Sequence, residues 1–234
     1  MALFIAPFQK LTYFQIPIPD LVRMQAGGPF ALTHLVLSRP DYRDFYKGQP
    51  YTILDNSIHE LGASLHIQDI LAAAKMIQPR WVIPPDFMFD YVSTRKALEE
   101  FTEYVDPDNI LPVLQCRDEI EFKTFQKYLK SEGYYYIALP YKAPRLQYLK
   151  YLDSDIKYHF LGMQSIDELR EIAAWMKVMN ISWTIDTGKP FRAGQNEGCI
   201  TGPKLDMNKP CDPKYVLQYL ELMDEAIWGQ EYRR

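Results

Sequence analysis

Three short stretches end in an acid where a buried strand should stop. Tyr51-Thr52-Ile53-Leu54 runs into Asp55 and then Asn56-Ser57-Ile58-His59, Trp183-Thr184-Ile185 runs into Asp186, and Val82-Ile83-Pro84-Pro85 runs into Asp86. Thr and Ile suit a pleated, buried surface, whereas Asp and Asn break it. A carboxylate at the tip of such a strand costs free energy unless something there uses or satisfies it. Capping of the next helix by Asp55 or Ser57 is one way to satisfy it. The recurrence of the pattern points to another. Two carboxylates on separate strands can face each other across a substrate, one as nucleophile and one as general acid and base, as in glycosyl transfer. A third acid, with the amide of Gln115, carries the acceptors and donors needed to read the edge of a polar heterocycle.

The elements that must position these groups alternate. Strands are expected at 33–38 (THLVLS), at 51–55, at 81–85, at 110–115 (ILPVLQ), at 134–139 (YYYIAL), at 157–162 and at 182–186. Helical periodicity is read over 66–77, 92–104, 119–132, 166–178 and 212–228, with a short helix around 145–152. Ser165 followed by Glu168 has the spacing of a capping box. Six or seven strand–helix repeats in 234 residues predict a parallel sheet under helical cover, and specifically a (β/α)8 barrel of TIM type in one domain, 1–234, with an irregular lead-in over 1–30. In such a barrel the site lies at the C-terminal strand ends, here Asp55-Asn56, Asp86, Gln115, Ala138-Leu139-Pro140, Gly162-Met163 and Asp186. The stretch Thr187 to Gly198, with Lys189 and Arg192 among glycines and Asn196, reads as a mobile loop suited to phosphate or as an ordinary surface loop with two solvated cations.

Composition excludes several classes. A net charge of −4 leaves no global basic field, so contact with nucleic acid must be local. Cys116, Cys199 and Cys211 lack CxxC spacing, and His59, His66 and His159 are scattered, so neither a disulfide framework nor a metal site is expected. Neither GxGxxG nor GxxxxGK[ST] occurs, and no cofactor is assigned. No signal-peptide pattern and no run of about 18 apolar residues is found, which predicts a soluble, cytoplasmic protein with no membrane partner.

In this order the segments resemble the queuine/archaeosine tRNA-guanine transglycosylase superfamily, in particular its short, phage-type members that act on DNA. Leu54-Asp55-Asn56-Ser57-Ile58-His59 is similar to the family's Asp-Ser-Gly-Gly-aromatic segment, Ile83-Pro84-Pro85-Asp86 to its base-reading segment, and Val113-Leu114-Gln115 to its strand-end Gln. Ile137-Ala138-Leu139-Pro140 resembles its Gly-Leu-Ala-Val-Gly, Phe160-Leu161-Gly162-Met163 its Leu-Met-Gly-Val-Gly, and Asp186 with Arg192 to Gly198 its nucleophile segment. The likeness covers roughly residues 50–200. It departs from the family in lacking the Cys/His zinc site, in Ser57 and Ile58 for two glycines, at Ala138, at Gln195 for an Arg, and in the inserted Glu197.

The resemblance implies a base exchange in which Asp186 attacks C1′ of a guanosine nucleotide, Asp55 moves the proton, and a 7-deazaguanine replaces guanine. It implies that Asn56, Asp86, Gln115, Leu161 and Gly162 surround the base, with backbone groups of Ala138 and Leu139. Lys142, Arg145, Lys189 and Arg192 are the candidate cations for holding phosphates, with solvated surface charge as the alternative for most of them. DNA is the implied polymer and tRNA the alternative, with a homodimer or helper protein as further partners and, for a phage-encoded chain, the host cytoplasm as the compartment. An unrelated barrel glycosidase and a non-catalytic nucleic-acid-binding subunit are the rival readings.

Overall fold

The computed structural model describes residues 2–4, 29–141, 143–200 and 211–229. Its strands are β1 (Ala2–Phe4), β2 (Phe30–Leu32), β3 (Ile53–Asp55), β4 (Trp81–Val82), β5 (Tyr136–Leu139), β6 (Lys157–Phe160) and β7 (Trp183–Asp186), all joined in parallel. They form two sheets, ordered β1-β7-β6-β5 and β2-β3-β4. The expected closed (β/α)8 barrel is therefore corrected to an α/β fold with two separate parallel sheets. Prolines account for the break. Pro84 and Pro85 follow β4 after a single residue, Ile83, and Pro112 interrupts the segment expected to be a strand at 110–115, where a missing N–H cannot extend a ladder. That segment makes only single bridges, Val82 to Ile110 on one side and Val113 to Ala138 on the other.

Within the lead-in, Ala2–Phe4 is not irregular but pairs with Thr184–Asp186; residues 5–28 lie outside the described residues. The expected strand at 33–38 is a helix, Thr33–Ser38. Phe30–Leu32 already fills the strand slot, and Thr33 Oγ1 donates to the carbonyl of Asp55 at 2.5 Å, so the chain turns there and buries Thr33 and Val36, three apart, on one helical face. The stretch after Asp186 is also helical, Lys189–Gln195, with Pro190 in its first turn and Phe191, Ala193 and Gly194 buried, rather than a loop.

The long helices follow their apolar periodicity: Ile67–Ile77, Tyr91–Phe101, Glu119–Ser131, Ile166–Met179 and Pro213–Trp228. Side chains of Asp90, Asp118, Ser165 and Asp212 accept backbone N–H groups at four of their N-termini. Alternation along the strands sorts residues between two cores. Ala31, Leu54, Val82, Ile137, Tyr158 and Ile185 pack with the helices in the larger one, while Phe30, Leu32, Ile53, Ile83, Leu111, Val113 and Ala138 form a smaller cluster. Among the described residues no helix is long and apolar enough to cross a membrane.

Candidate active site

A cavity of about 470 Å³ opens at the C-terminal ends of strands from both sheets, within the usual size range of small-molecule sites. Asp55, Asn56, Asp86, Gln115, Leu161, Gly162, Asp186, Lys189 and Arg192 all line it. Period-two spacing puts Thr184 and Asp186 on one face of β7, and the register sets His159 of β6 against Thr184. The nearly buried Asp186 carboxylate receives the Gly162 N–H on Oδ1 at 2.8 Å, and His159 Nε2 lies 3.2 Å from the same oxygen. Among the described residues none hydrogen-bonds Oδ2.

Asp55 ends β3 on the other sheet. Its Oδ2 accepts the N–H of Ser57 at 2.7 Å, an Asx-type turn that holds Ser57 in the left-handed region at φ 65°. Burial pushes the Asp55 carboxyl well above the ordinary range; the charge of Glu60 adds to this, the Ser57 N–H opposes it, and Asp186 and Asp86 raise it further. Asp55 thus holds its proton more tightly than an ordinary carboxyl does.

Asp86 sits below as an acid held by two amides. Asn56 Nδ2 donates to its Oδ1 at 2.6 Å and to the carbonyl of Pro84 at 2.7 Å, while Gln115 Nε2 donates to its Oδ2. The other amide oxygens are also committed: Asn56 Oδ1 takes the N–H of Ile58 at 3.1 Å and Gln115 Oε1 that of Phe89 at 3.1 Å. Burial raises the pKa of Asp86, and the two amide donors pull against it. The result is an interlocked carboxylate and pair of amides in the cavity wall.

Three of the expected binding residues stand elsewhere or do other work. Ala138 and Leu139 are absent from the cavity wall because their backbone serves the sheet: the Ala138 N–H donates to Pro112, its carbonyl accepts from Leu114, and the Leu139 carbonyl accepts from Leu161. Pro140 and Tyr141 line the wall in their place. Arg145, expected at the surface on phosphate, is 1% exposed and forks onto both carboxylate oxygens of Glu168 at 2.9 Å. It also donates to the carbonyls of Leu161 at 2.6 Å and Gly162 at 2.8 Å, so it holds the segment whose N–H reaches Asp186. Lys142 lies outside the described residues.

Lys189 reaches back to the carbonyl of Gln164 at 2.6 Å, and its pKa is lowered by burial and by Arg192. His59 and Tyr141 meet edge to face at 5.4 Å where both line the cavity. Glu168 serves only half of the expected capping box: its N–H bonds Ser165 Oγ at 3.0 Å, but its carboxylate is spent on Arg145 and the N–H of Gln164. His159, set aside in the sequence as one of several scattered histidines, belongs to the site. The signal was its place in a buried strand, one register step from the strand that ends in Asp186. Among the described residues no group of three or more His, Cys, Asp or Glu side chains is set to hold a metal ion. No family model matches the sequence, and no curated protein matches it either.

Proposed function

We propose that this chain is a pentosyltransferase that exchanges guanine in a nucleic acid, DNA in the first instance, for a 7-deazaguanine of the preQ0 type, acting in the cytoplasm. The observation that carries the reading is the division of labour among Asp186, Asp55 and Asp86 around one cavity, together with the ordered resemblance of residues 50–200 to guanine transglycosylases. Asp186, held by one oxygen, attacks C1′; the C1′–N9 bond breaks and guanine leaves with the proton of Asp55. The intermediate is an ester between Asp186 and C1′. Asp55, now a carboxylate, takes the N9 proton of the incoming base, whose nitrogen attacks C1′ and returns the electron pair to Asp186. Two displacements retain the configuration at C1′.

The Asp86 carboxylate would accept the N1–H and exocyclic amine of guanine, displacing the amide hydrogens now on it, and a purine lacking that amine would bind poorly. Ser57 supports the reading in spite of its side chain, because its left-handed backbone is the one a glycine would adopt there. The target nucleotide has to leave its stack to reach the cavity, which favours single-stranded or flipped substrate.

Incorporation of labelled guanine and of labelled preQ0 into DNA and tRNA, side by side, tests this. Label is expected in DNA and is expected to fall below detection with Asp186→Ala and with Asp55→Ala. Label in tRNA alone would keep the chemistry and overturn the polymer. Label in neither, with both polymers bound, would turn the chain into a non-catalytic binder.

A further inference from the structure

We propose that His159 is a positioning residue for Asp186, a neutral imidazole whose Nε2–H, together with the Gly162 N–H, holds one carboxylate oxygen so that the other meets the sugar. This rests on the base-exchange reading, in which Asp186 is the nucleophile. His159 is fully buried in β6, its ring stacked on Phe30 with centroids 5.8 Å apart and planes 14° from parallel. Its Nδ1 lies 2.7 Å from Thr184 Oγ1, and that hydroxyl lies 2.7 Å from the Tyr136 hydroxyl.

Hydrogen-bond roles along this chain are set from the carboxylate end. A carboxylate oxygen accepts, so Nε2, 3.2 Å from Asp186 Oδ1, carries the ring proton. In the neutral ring Nδ1 is then the acceptor, Thr184 Oγ1 donates to it, and the threonine oxygen accepts from the Tyr136 hydroxyl. The opposite tautomer would set a nitrogen lone pair against Asp186. Burial also disfavours the imidazolium, as do the positive charges of Lys157 and Arg145; Asp186 pulls the other way, and the net direction is down.

A held carboxylate matters twice in the reaction. In the attack, two donors on Oδ1 fix the rotation of the carboxylate and present Oδ2. In the ester, Oδ2 is bonded to C1′ and Oδ1 is the carbonyl oxygen, with both donors still on it. Breaking the ester returns negative charge to the carboxylate, and donors in place stabilise that charge as it forms. Loss of the His159 donor therefore slows release of the sugar more than its capture.

Three measurements test this. Nitrogen NMR of the uniformly labelled wild type, with the His159 signals assigned by their disappearance in His159→Gln, should show a proton on Nε2 and a bare Nδ1 at neutral pH. In turnover, His159→Leu should lose about 10- to 100-fold in kcat, the loss of one hydrogen bond to a charged group, with KM for the nucleic acid falling alongside as the adduct builds up. The Asp186–nucleic acid adduct should accumulate on a denaturing gel. His159→Gln, which restores an N–H donor, should recover most of the rate and clear the adduct. A proton on Nδ1, an imidazolium at neutral pH, or equal losses in the Leu and Gln variants without adduct would overturn the proposal. If His159→Leu does not fold, Thr184→Val, which removes the donor to Nδ1, should shift the tautomer population, and an unshifted tautomer would count against it. Absence of exchange in the wild type would sink the base-exchange reading while the NMR result still decided the tautomer.

Discussion

Asp55 sits among acids and away from water, and both facts push its carboxyl in the same direction. The folded chain therefore holds that proton to higher pH than the unfolded chain does. Over the interval between the two pKa values folding binds a proton, so the stability contributed by this group is fully present below the unfolded value and is lost as pH rises through the folded one. Replacing Asp55 by Asn removes the titration while leaving an oxygen for the Ser57 N–H. Asp55→Asn is expected to melt at a higher temperature than the wild type at neutral and alkaline pH, by about 2–4 °C for each kcal/mol released, and to lose the advantage in acid. Thermal melts of both proteins across pH check this; a lower melting temperature for the variant at neutral pH would mean that the carboxylate is stabilised by something else. In the proposed exchange the same group supplies the proton for the first half, so turnover should fall as pH rises through its folded pKa. These roles were legible in part. Asp55, Asp86, Gln115 and Asp186 stand at strand tips in the sequence, but Asn56 and Gln115 as partners of Asp86 depend on backbone separations of about thirty residues closing in space.

Helices set the site's edges, and two tight contacts hold them. At Gly194 an added Cβ would lie 2.6 Å from Val216 Cγ2, 2.9 Å from Cys211 Cβ and 3.0 Å from the carbonyl of Asp212, so helices Lys189–Gln195 and Pro213–Trp228 approach as only glycine permits. Gly194→Ala should cost about 1–3 kcal/mol by overpacking, read by urea denaturation, with partial recovery in Gly194→Ala/Val216→Ala. Arg145→Ala should cost more, about 3–5 kcal/mol, because it strands a buried Glu168 carboxylate and releases the 161–162 carbonyls. An Arg145 variant as stable as the wild type would return that side chain to the surface. Such element-scale facts explain why the sequence read well in some places and poorly in others. Helices with a clear apolar stripe and an Asp or Ser cap emerged to within a residue at each end, except that the one expected at 92–104 runs Tyr91–Phe101 and stops three residues early, whereas Thr33–Ser38 carries strand-like residues and turns into a helix because Phe30–Leu32 is already paired with Ile53–Asp55. Arg145 and Lys189 look alike as cations in a sequence; only the fold separates a fully buried strut from a side chain on the cavity wall.

At the scale of the molecule the two sheets matter more than any single strand. Asp55 comes from the sheet β2-β3-β4 and Asp186 from β1-β7-β6-β5, and the segment around Pro112 bridges them by single pairs. Alternation of strand and helix was visible in the sequence; the division into two sheets was not, because it turns on where prolines withhold N–H groups from neighbouring ladders. Charge is the other whole-molecule property. With a net charge of −4 the chain gains no long-range attraction for a polyanion, and among the described residues the lysine and arginine of the cavity wall are Lys189 and Arg192. Each single-strand phosphate neutralised contributes about −0.7 to the slope of log K against log salt. Two such contacts predict a shallow slope of roughly −1 to −2 for a single-stranded oligonucleotide, and Lys189→Ala should reduce its magnitude by about 0.7. Fluorescence titrations over a range of salt concentrations measure both. A slope several times steeper, unchanged in Lys189→Ala, would mean that the polymer is held across a broad basic surface away from the cavity; a shallow slope that responds to Lys189 would tie the phosphate contacts to the cavity that holds Asp186.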